Sequence, residues 1–135
     1  KKKFKNEVII GPDWESYQWA EDIAKHINVQ ATVLRKTRFS SRKVKVKMTM
    51  PISIKGKNVV IVDDIISTGH TVVEAAKQAK KLGAKSVSAI CVHGLFVEEA
   101  LKKLKKIGVK KIISTNTIEH STNKIDVVDL LVKSI

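Results

Sequence analysis

The sequence predicts an α/β fold, a mostly parallel sheet flanked by helices, built as one domain of 135 residues. Short runs of Val and Ile alternate along the chain with helix-like segments of roughly ten residues, as parallel sheets require. The run at residues 59–62, VVIV, has no polar position, which is typical of a strand buried on both faces. The composition, 43% hydrophobic but only 4% aromatic, predicts a core of Val, Ile, Leu and Ala.

In the first half of the chain, apolar patterns predict a strand at 8–10, a helix at 14–27, a strand at 31–34 and a strand at 44–48. Asp13 is the expected N-cap of the helix, because it follows the breakers Gly11 and Pro12 and precedes the first apolar-periodic residue. Residues 35–43 are rich in Arg, Lys and Ser without periodicity, which favours a mobile loop. The alternation of apolar and basic residues at 44–48 predicts that this strand is half exposed.

In the second half, strands are predicted at 59–62, 86–92, 111–114 and 125–128, and helices at 71–82, 97–107 and 129–135. Gly83 and Gly108 directly follow two of these helices, where glycine commonly ends a helix. Residues 115–124 are polar and are predicted to form a loop.

The net charge of +13 favours anionic partners. Many lysines recur on predicted helix faces, as at residues 100–106, a pattern typical of solvated surface, so a dedicated nucleic-acid role is not expected. No apolar run approaches the roughly 20 residues of a membrane span, and no signal peptide is visible, which favours the cytoplasm. Cys91 is the single cysteine, so no internal disulfide can form, and we expect a buried, inert thiol.

The most informative segment joins two acids to a hydroxyl-rich loop. Asp63 and Asp64 end the apolar run, and residues 67–71 then lead into a helix. Backbone N–H groups and hydroxyls at a helix N-terminus suit a phosphate. The carboxylates can accept hydrogen bonds from sugar hydroxyls or hold a metal. Together these features predict that the ligand is a phosphorylated sugar.

Two other families that place acids or phosphate loops after a strand fit less well. A phosphorelay receiver needs a phosphoacceptor Asp at the end of a later strand, whereas here the following strand ends in His93 and Gly94. A nucleotide-binding P-loop needs Gly-x4-Gly-Lys-Ser/Thr, and the sequence contains no such pattern.

Residues 60–71, VIVDDIISTGHT, resemble the PRPP-binding motif of the type I phosphoribosyltransferase fold. The resemblance implies that Asp63 and Asp64 contact the ribose 2- and 3-hydroxyls. It also implies a cradle for the 5-phosphate, formed by Ser67, Thr68, Gly69, His70 and Thr71.

Three further segments narrow the resemblance to the C-terminal domain of ribose-phosphate diphosphokinase (PRPP synthetase). They are a diphosphate-loop-like Gly11-Pro12-Asp13, a catalytic-loop-like Lys36-Thr37-Arg38, and residues 92–96, VHGLF. Ser67, where bacterial relatives often have Asp, resembles the archaeal form.

That family transfers the diphosphate of ATP, with Mg²⁺, to ribose 5-phosphate, giving PRPP and AMP. The resemblance implies that Lys36 and Arg38 are catalytic and that Asp13 contacts Mg²⁺. The family's ATP site lies mainly in an N-terminal domain and a neighbouring subunit. The expected partners are therefore that domain and further copies in a homo-oligomer, and the chain alone is expected to fold without making PRPP.

The sequence departs from this family at two places. Many relatives continue the diphosphate loop as Asp-x-Gly-Gly, whereas this chain has Glu15 and Ser16 there, and Glu15 adds negative charge. His70 replaces a glycine of the phosphate loop, and it either donates to the phosphate or points to solvent.

Two rival functions remain open. A phosphoribosyltransferase would need a base-binding hood, for which no segment is evident. A non-catalytic PRPP-sensing regulator would have no need of Lys36 and Arg38.

Overall fold

A computed structural model of the chain describes residues 4–40, 43–48 and 52–135, with the backbone alone described at 35–40 and 43–48. Strands and helices alternate along most of it, as the sequence predicts. In chain order they are β1 (Glu7–Gly11), α1 (Trp14–Ile27), β2 (Gln30–Ser40), β3 (Lys43–Met48), β4 (Asn58–Ile66), α2 (His70–Lys81), β5 (Ser86–Gly94), α3 (Ala100–Lys106), β6 (Lys111–Thr115), β7 (Asn123–Ile125) and α4 (Val128–Val132).

The described strands form one sheet in the order β3-β2-β1-β4-β5-β6-β7. Every neighbouring pair is parallel except β2 and β3, which pair antiparallel at one edge. The predicted fold class is therefore confirmed. The chain leaves β1 toward β2 on one side and later returns to β4 on the other side. This reversal makes a crevice at the carboxyl ends of β1 and β4, where open α/β sheets bind ligands.

Helices cover the two faces of the sheet unequally. The helix α1 packs on β1, β2 and β4, with Ala20 and Ala24 against Ile9 and Val62. On the opposite face, α2 packs on β4 and β5 and also contacts α3. The larger core cluster lies on that face and includes Val59, Ile61, Ile66, Val72, Ala76, Val87 and Leu104. Among the described residues, no helix combines the length and apolar character that crossing a bilayer requires.

The prediction of a mobile loop at residues 35–43 is wrong for the described part of that segment. β2 continues to Ser40, and its backbone pairs with β3, for example Lys36 with Val46 and Arg38 with Val44. A strand can form here without side-chain periodicity, because backbone hydrogen bonds to β3 stabilise it. Residues 41–42 lie outside the described structure.

Two boundaries near the predicted site also differ from expectation. β4 does not stop at residue 62 but runs to Ile66, because β5 continues beside it and pairs with it as far as Gly94. The helix α3 begins at Ala100 rather than at 97, because Glu98 and Glu99 have φ values of 50° and 58°, outside the right-handed helical region. At the end of the chain, β7 and α4 are both shorter than predicted.

Candidate functional site

The two acids of β4 lie at the crevice between β1 and β4, and they are held differently. Asp63 is buried, with 8% of its surface exposed, and its Oδ1 accepts hydrogen bonds from Ser16 Oγ at 2.7 Å and from the Asp64 N–H at 2.9 Å. Asp64 is half-buried, and its Oδ1 accepts the N–H of Ile65 at 2.8 Å. The acids therefore lie inside the last part of the strand, and backbone pairing to β5 fixes their positions.

Burial raises the pKa of Asp63 from 3.8 to about 6. The hydrogen bond from Ser16 opposes this rise in pKa, and the negative charge of Asp13 adds to it. A carboxyl group with a raised pKa at the end of a parallel strand marks a candidate ligand site. Hydrogen-bond donors on a bound ligand would favour the charged form of Asp63.

The N-terminus of α2 is left open. Its N-cap is Gly69, which makes no side-chain capping bond, and its first turn contains no acidic residue. Val73 N–H donates to Gly69 O at 2.8 Å, and the His70 N–H makes only a long contact of 3.5 Å to Thr68 Oγ1. The backbone donors of the first turn thus remain available to an anion. They line a cavity of about 120 Å³ whose wall includes Asp63 and residues 65–72.

Gly69 is required at this turn for two reasons. Its φ of +78° lies in the left-handed region, which residues with a Cβ adopt at a cost. A Cβ there would also lie 3.3 Å from the Cβ of Ala100 at the start of α3. The phosphate-loop-like turn is therefore held between β4 and α3.

The segment after β5 supports the same loop from its other side. The N–H groups of Leu95 and Phe96 both donate to Ile66 O at 3.0 Å, and the Val97 N–H donates to Ser67 O at 3.0 Å. Residues 92–96 were singled out from the sequence. Hydrogen bonds from the end of this segment hold the backbone that leads from the acids into α2.

The N-terminus of α1 lies at the same edge but is already occupied. Asp13 Oδ1 accepts the Ser16 N–H at 2.9 Å, which confirms the predicted N-cap. Glu15 adds a second acid to the first turn. Gly11 permits the turn into the helix, since a Cβ there would lie 2.7 Å from the backbone N and Cα of Tyr17.

A larger cavity of about 630 Å³ adjoins the acids on the α1 side of the sheet. Asp63 lines both this cavity and the small one, whereas Asp64 lines only the larger. The apolar wall of the larger cavity consists of Trp19, Ile23, Val62, Ile65, Ile90, Cys91, Val92 and Ile125. His93 is also part of the wall, and its Nδ1 lies 2.8 Å from Thr117 Oγ1. Cys91 is buried as predicted, and burial raises the pKa of its thiol to about 11.

The structure thus brings together Asp13, the acid pair and the loop at 67–71, all at the carboxyl edge of the sheet. The backbone of Lys36 and Arg38 reaches the same edge, because β2 extends past the pairing of Gly11 with Val33. The side chains of these two residues lie outside the described structure.

Sequence reasoning gave Ser16 no role in the site. Ser16 is 1% exposed and, with Ala20 and Ala24, forms the buried stripe of α1 at spacings of four. A hydroxyl in an otherwise alanine stripe was the signal available in the sequence, because buried polar groups need partners.

Comparison with known proteins gives consistent results. The model of the phosphoribosyl transferase domain family matches residues 1–132. Ribose-phosphate pyrophosphokinase 2 of Archaeoglobus fulgidus is 43% identical over 131 residues, which is 97% of this chain and 48% of that protein. Ribose-phosphate pyrophosphokinase of Pyrococcus abyssi is 37% identical over 133 residues, 98% of this chain and 46% of that protein. The chain thus spans about half the length of these curated relatives.

Solved structures show the same relationship. Phosphoribosylpyrophosphate synthetase from Mycobacterium smegmatis superposes with a TM-score of 0.79 at 26% identity, covering 96% of this chain and 44% of that one. Adenine phosphoribosyltransferase from Thermoanaerobacter pseudethanolicus gives a TM-score of 0.63 at 25% identity, covering 82% of this chain and 69% of that one.

Proposed function

We propose that this chain, which belongs to the phosphoribosyl transferase domain family, is the ribose 5-phosphate-binding domain of an enzyme that makes PRPP and AMP from ATP and ribose 5-phosphate. The observation that carries the proposal is the uncapped N-terminus of α2. It borders a small cavity that Asp63 also lines. A donor-rich cradle beside buried carboxylates suits a ligand that has a phosphate at one end and hydroxyls at the other.

In this proposal the 5-phosphate binds the backbone donors of residues 67–71, and the acids receive the ribose hydroxyls. Oδ1 of Asp63 accepts hydrogen bonds from Ser16 Oγ and from the Asp64 N–H, and the Asp63 carboxyl group also interacts with the side chain of Asp64. A carboxylate can accept about four hydrogen bonds, so Oδ2 has the capacity to accept one from a sugar hydroxyl. Both ends of the ligand are then fixed by parts of one strand–loop–helix unit.

In the reaction, the 1-hydroxyl oxygen of the sugar attacks the β-phosphorus of ATP. The bond from that phosphorus to the oxygen bridging the α- and β-phosphates breaks, AMP leaves, and the hydroxyl proton is released. Enzymes accelerate such transfers mainly by positioning the reactants and by neutralising charge. We assign the neutralising charge to Lys36 and Arg38, because β2 carries their backbone past the end of β1 toward the crevice.

Asp13 is the residue that we assign to a metal contact. Asp13 has one carboxylate oxygen bonded to Ser16 N–H, and its other oxygen has no partner among the described residues. No group of three or more potential ligand side chains occurs in the described ranges. Mg²⁺ commonly binds one or two carboxylates, several waters and the phosphates of a substrate. Asp13 would therefore contact an ion carried by the diphosphate, which would neutralise part of its charge.

The remaining machinery is assigned to an N-terminal domain, as in a two-domain enzyme. On the α1 side of the sheet, Ile65, Val92 and Ile125 are 45%, 41% and 41% exposed, and no described helix covers them. Parallel sheets are normally covered on both faces, and a contiguous apolar surface is typical of an interface. We place the partner domain, which would complete the ATP site, on this surface. Oligomerisation remains a prediction.

The proposal is tested by calorimetry with ribose 5-phosphate. Two glycines with the same left-handed backbone conformation, Gly69 and Gly56, are replaced one at a time by alanine. Gly69→Ala should abolish detectable binding, because the cradle depends on its φ of +78° and lies against Ala100. Gly56→Ala has an equally left-handed φ of +74° but open space around it, so it should lose about 1 kcal/mol of stability and keep wild-type affinity. A wild-type chain that does not bind ribose 5-phosphate would refute the proposal.

The catalytic assignment of the basic pair has its own test. Lys36→Ala and Arg38→Ala should weaken binding of PRPP, which carries the diphosphate, and leave binding of ribose 5-phosphate nearly unchanged. The exposed Lys102, paired with Glu99 on α3, provides a control substitution that should affect neither ligand. Equal losses for both ligands would show that the pair does not recognise the diphosphate.

A further inference from the structure

Ser16 connects the first turn of α1 to the acid pair of β4. Its N–H donates to Asp13 Oδ1 at 2.9 Å, and its Oγ–H donates to Asp63 Oδ1 at 2.7 Å across 47 positions of sequence. We propose that Ser16 is a positioning residue that fixes the Asp63 carboxylate through Oδ1, so that Oδ2 faces the sugar hydroxyls. The inference rests on the proposed function, because it names what orients one of the residues in that site.

The carboxylate needs such a contact because an aspartate side chain does not orient itself. Rotation about its last torsion is broad, so an isolated carboxylate samples many orientations. Here two donors, Ser16 Oγ and the Asp64 N–H, converge on the single atom Oδ1. Fixing Oδ1 also fixes Oδ2, in a residue that lines both the small and the large cavity. The two bonds therefore select one orientation before any ligand arrives.

The hydroxyl of Ser16 has no evident task within its own helix. The cap of α1 is made by Asp13 and uses the backbone N–H of Ser16, not its side chain. The other buried residues of α1 are Ala20 and Ala24, so an alanine would fill position 16 and preserve the stripe. Burying a hydroxyl is unfavourable unless it is paired, and a bond to a carboxylate is among the stronger ways to pair it. The serine is thus explained by Asp63 rather than by the helix.

The test separates the sugar from the phosphate. Calorimetry on the whole chain would compare ribose 5-phosphate with inorganic phosphate, since only the sugar uses Asp63. Ser16→Ala should weaken ribose 5-phosphate binding about tenfold, the order expected when a bond to a charged group is lost. Phosphate binding should change by less than about twofold, because the cradle at residues 67–71 does not touch Ser16 in the described structure.

The matched control is Ser114→Ala. Ser114 is 0% exposed and lines neither cavity, and its Oγ lies 2.7 Å from Thr122 Oγ1 and accepts from Asn123 Nδ2 at 2.9 Å. Ser114→Ala should lower the melting temperature at least as much as Ser16→Ala does, and it should leave both ligands bound as in the wild type. Ser16→Cys keeps the size of the side chain but donates weakly. This variant should also lose sugar affinity selectively, which provides the test if Ser16→Ala does not fold.

The possible outcomes separate this inference from the function on which it rests. Unchanged sugar affinity in a folded Ser16 variant overturns the positioning role while the proposed function stands. Equal losses for sugar and phosphate also overturn it, because they indicate a general structural effect. A wild-type chain that does not bind ribose 5-phosphate overturns the proposed function and this inference together.

Discussion

The helices α1 and α2 both begin at the carboxyl edge of the sheet beside the acid pair, and their first turns are completed in opposite ways. At α1, the Asp13 side chain accepts the Ser16 N–H, and Glu15 adds a second negative charge. At α2, the N-cap is Gly69, which has no side chain, and no acid follows in the first turn. Both helices direct the positive ends of their dipoles at the same crevice. Of these two first turns, only that of α2 has neither a side-chain cap nor an acid.

The difference distinguishes the two helix N-termini beside the acid pair as candidates for binding an anion. A side-chain cap satisfies the donors that an anion would use, so a capped helix competes with its own ligand. A glycine N-cap leaves them unsatisfied, at some cost to the stability of the helix. The apparent departure of Glu15 from the family's diphosphate loop then fits an α1 whose N-terminus does not bind an anion directly. The proposal above places a cation between Asp13 and the diphosphate.

The largest expected effect comes from making α2 resemble α1. Thr71→Glu places an acid in the first turn of α2, and it should reduce phosphate and ribose 5-phosphate affinity by about tenfold or more, because like charges at the protein surface repel (~1–4 kcal/mol at ~4 Å). The same change should stabilise the free chain by up to about 1 kcal/mol, since an acid there favours the dipole. Thr71→Gln is the uncharged control. Equal affinities in the Glu and Gln variants would contradict the anion-site interpretation.

The second effect, on stability rather than on affinity, concerns Asp63, the acid beneath α1. The pKa of Asp63 is about 6 in the folded chain and about 3.8 when unfolded, so the folded state binds more protons between these values. The stability of the wild type relative to Asp63→Asn should therefore fall by roughly 2–3 kcal/mol as the pH rises from about 4 to above 6. Chemical denaturation across this pH range measures it.

An oppositely shifted acid provides the control for that pH series. Hydrogen bonds from the Val128 N–H and the Asn116 side chain lower the pKa of Asp126. Its contribution is present above its unfolded pKa and is lost on acidification, so Asp126→Asn should show a trend of the opposite sign. A difference between wild type and Asp63→Asn that does not vary with pH would mean that Asp63 is not significantly destabilised by burial.

The smallest effect concerns Asp13, whose role as the N-cap of α1 can be separated from its proposed metal contact. Asp13→Ala should cost about 1 kcal/mol, the usual value of an N-cap. Asp13→Asn caps nearly as well and should keep stability, but it should lose any Mg²⁺-dependent gain in PRPP affinity, because an amide binds the cation less tightly. Thermal unfolding and calorimetry with and without Mg²⁺ distinguish the two roles. A Mg²⁺ effect that survives in Asp13→Asn would leave Asp13 as a cap only.

The features that the sequence predicted well depend on residues that are adjacent in the chain. The N-cap at Asp13 follows from breakers before a periodic run, and the helix that follows residues 67–71 follows from the apolar periodicity of the next twelve residues. The burial of Cys91 follows from its apolar neighbours. Local sequence encodes such features because caps, turns and burial periodicity depend mainly on adjacent residues.

The features that only the tertiary structure decided depend on partners distant in sequence. β4 extends through its acids because β5 lies beside it, and β2 extends through a basic, non-periodic segment because β3 pairs with it. The contact of Ser16 with Asp63 joins residues 47 positions apart. It exists because β1 and β4 are neighbours and α1 packs across both. The sequence alone determined the fold class and that a loop leads from the acid pair into α2, whereas the packing of α1 on β4 decided how Asp63 is held.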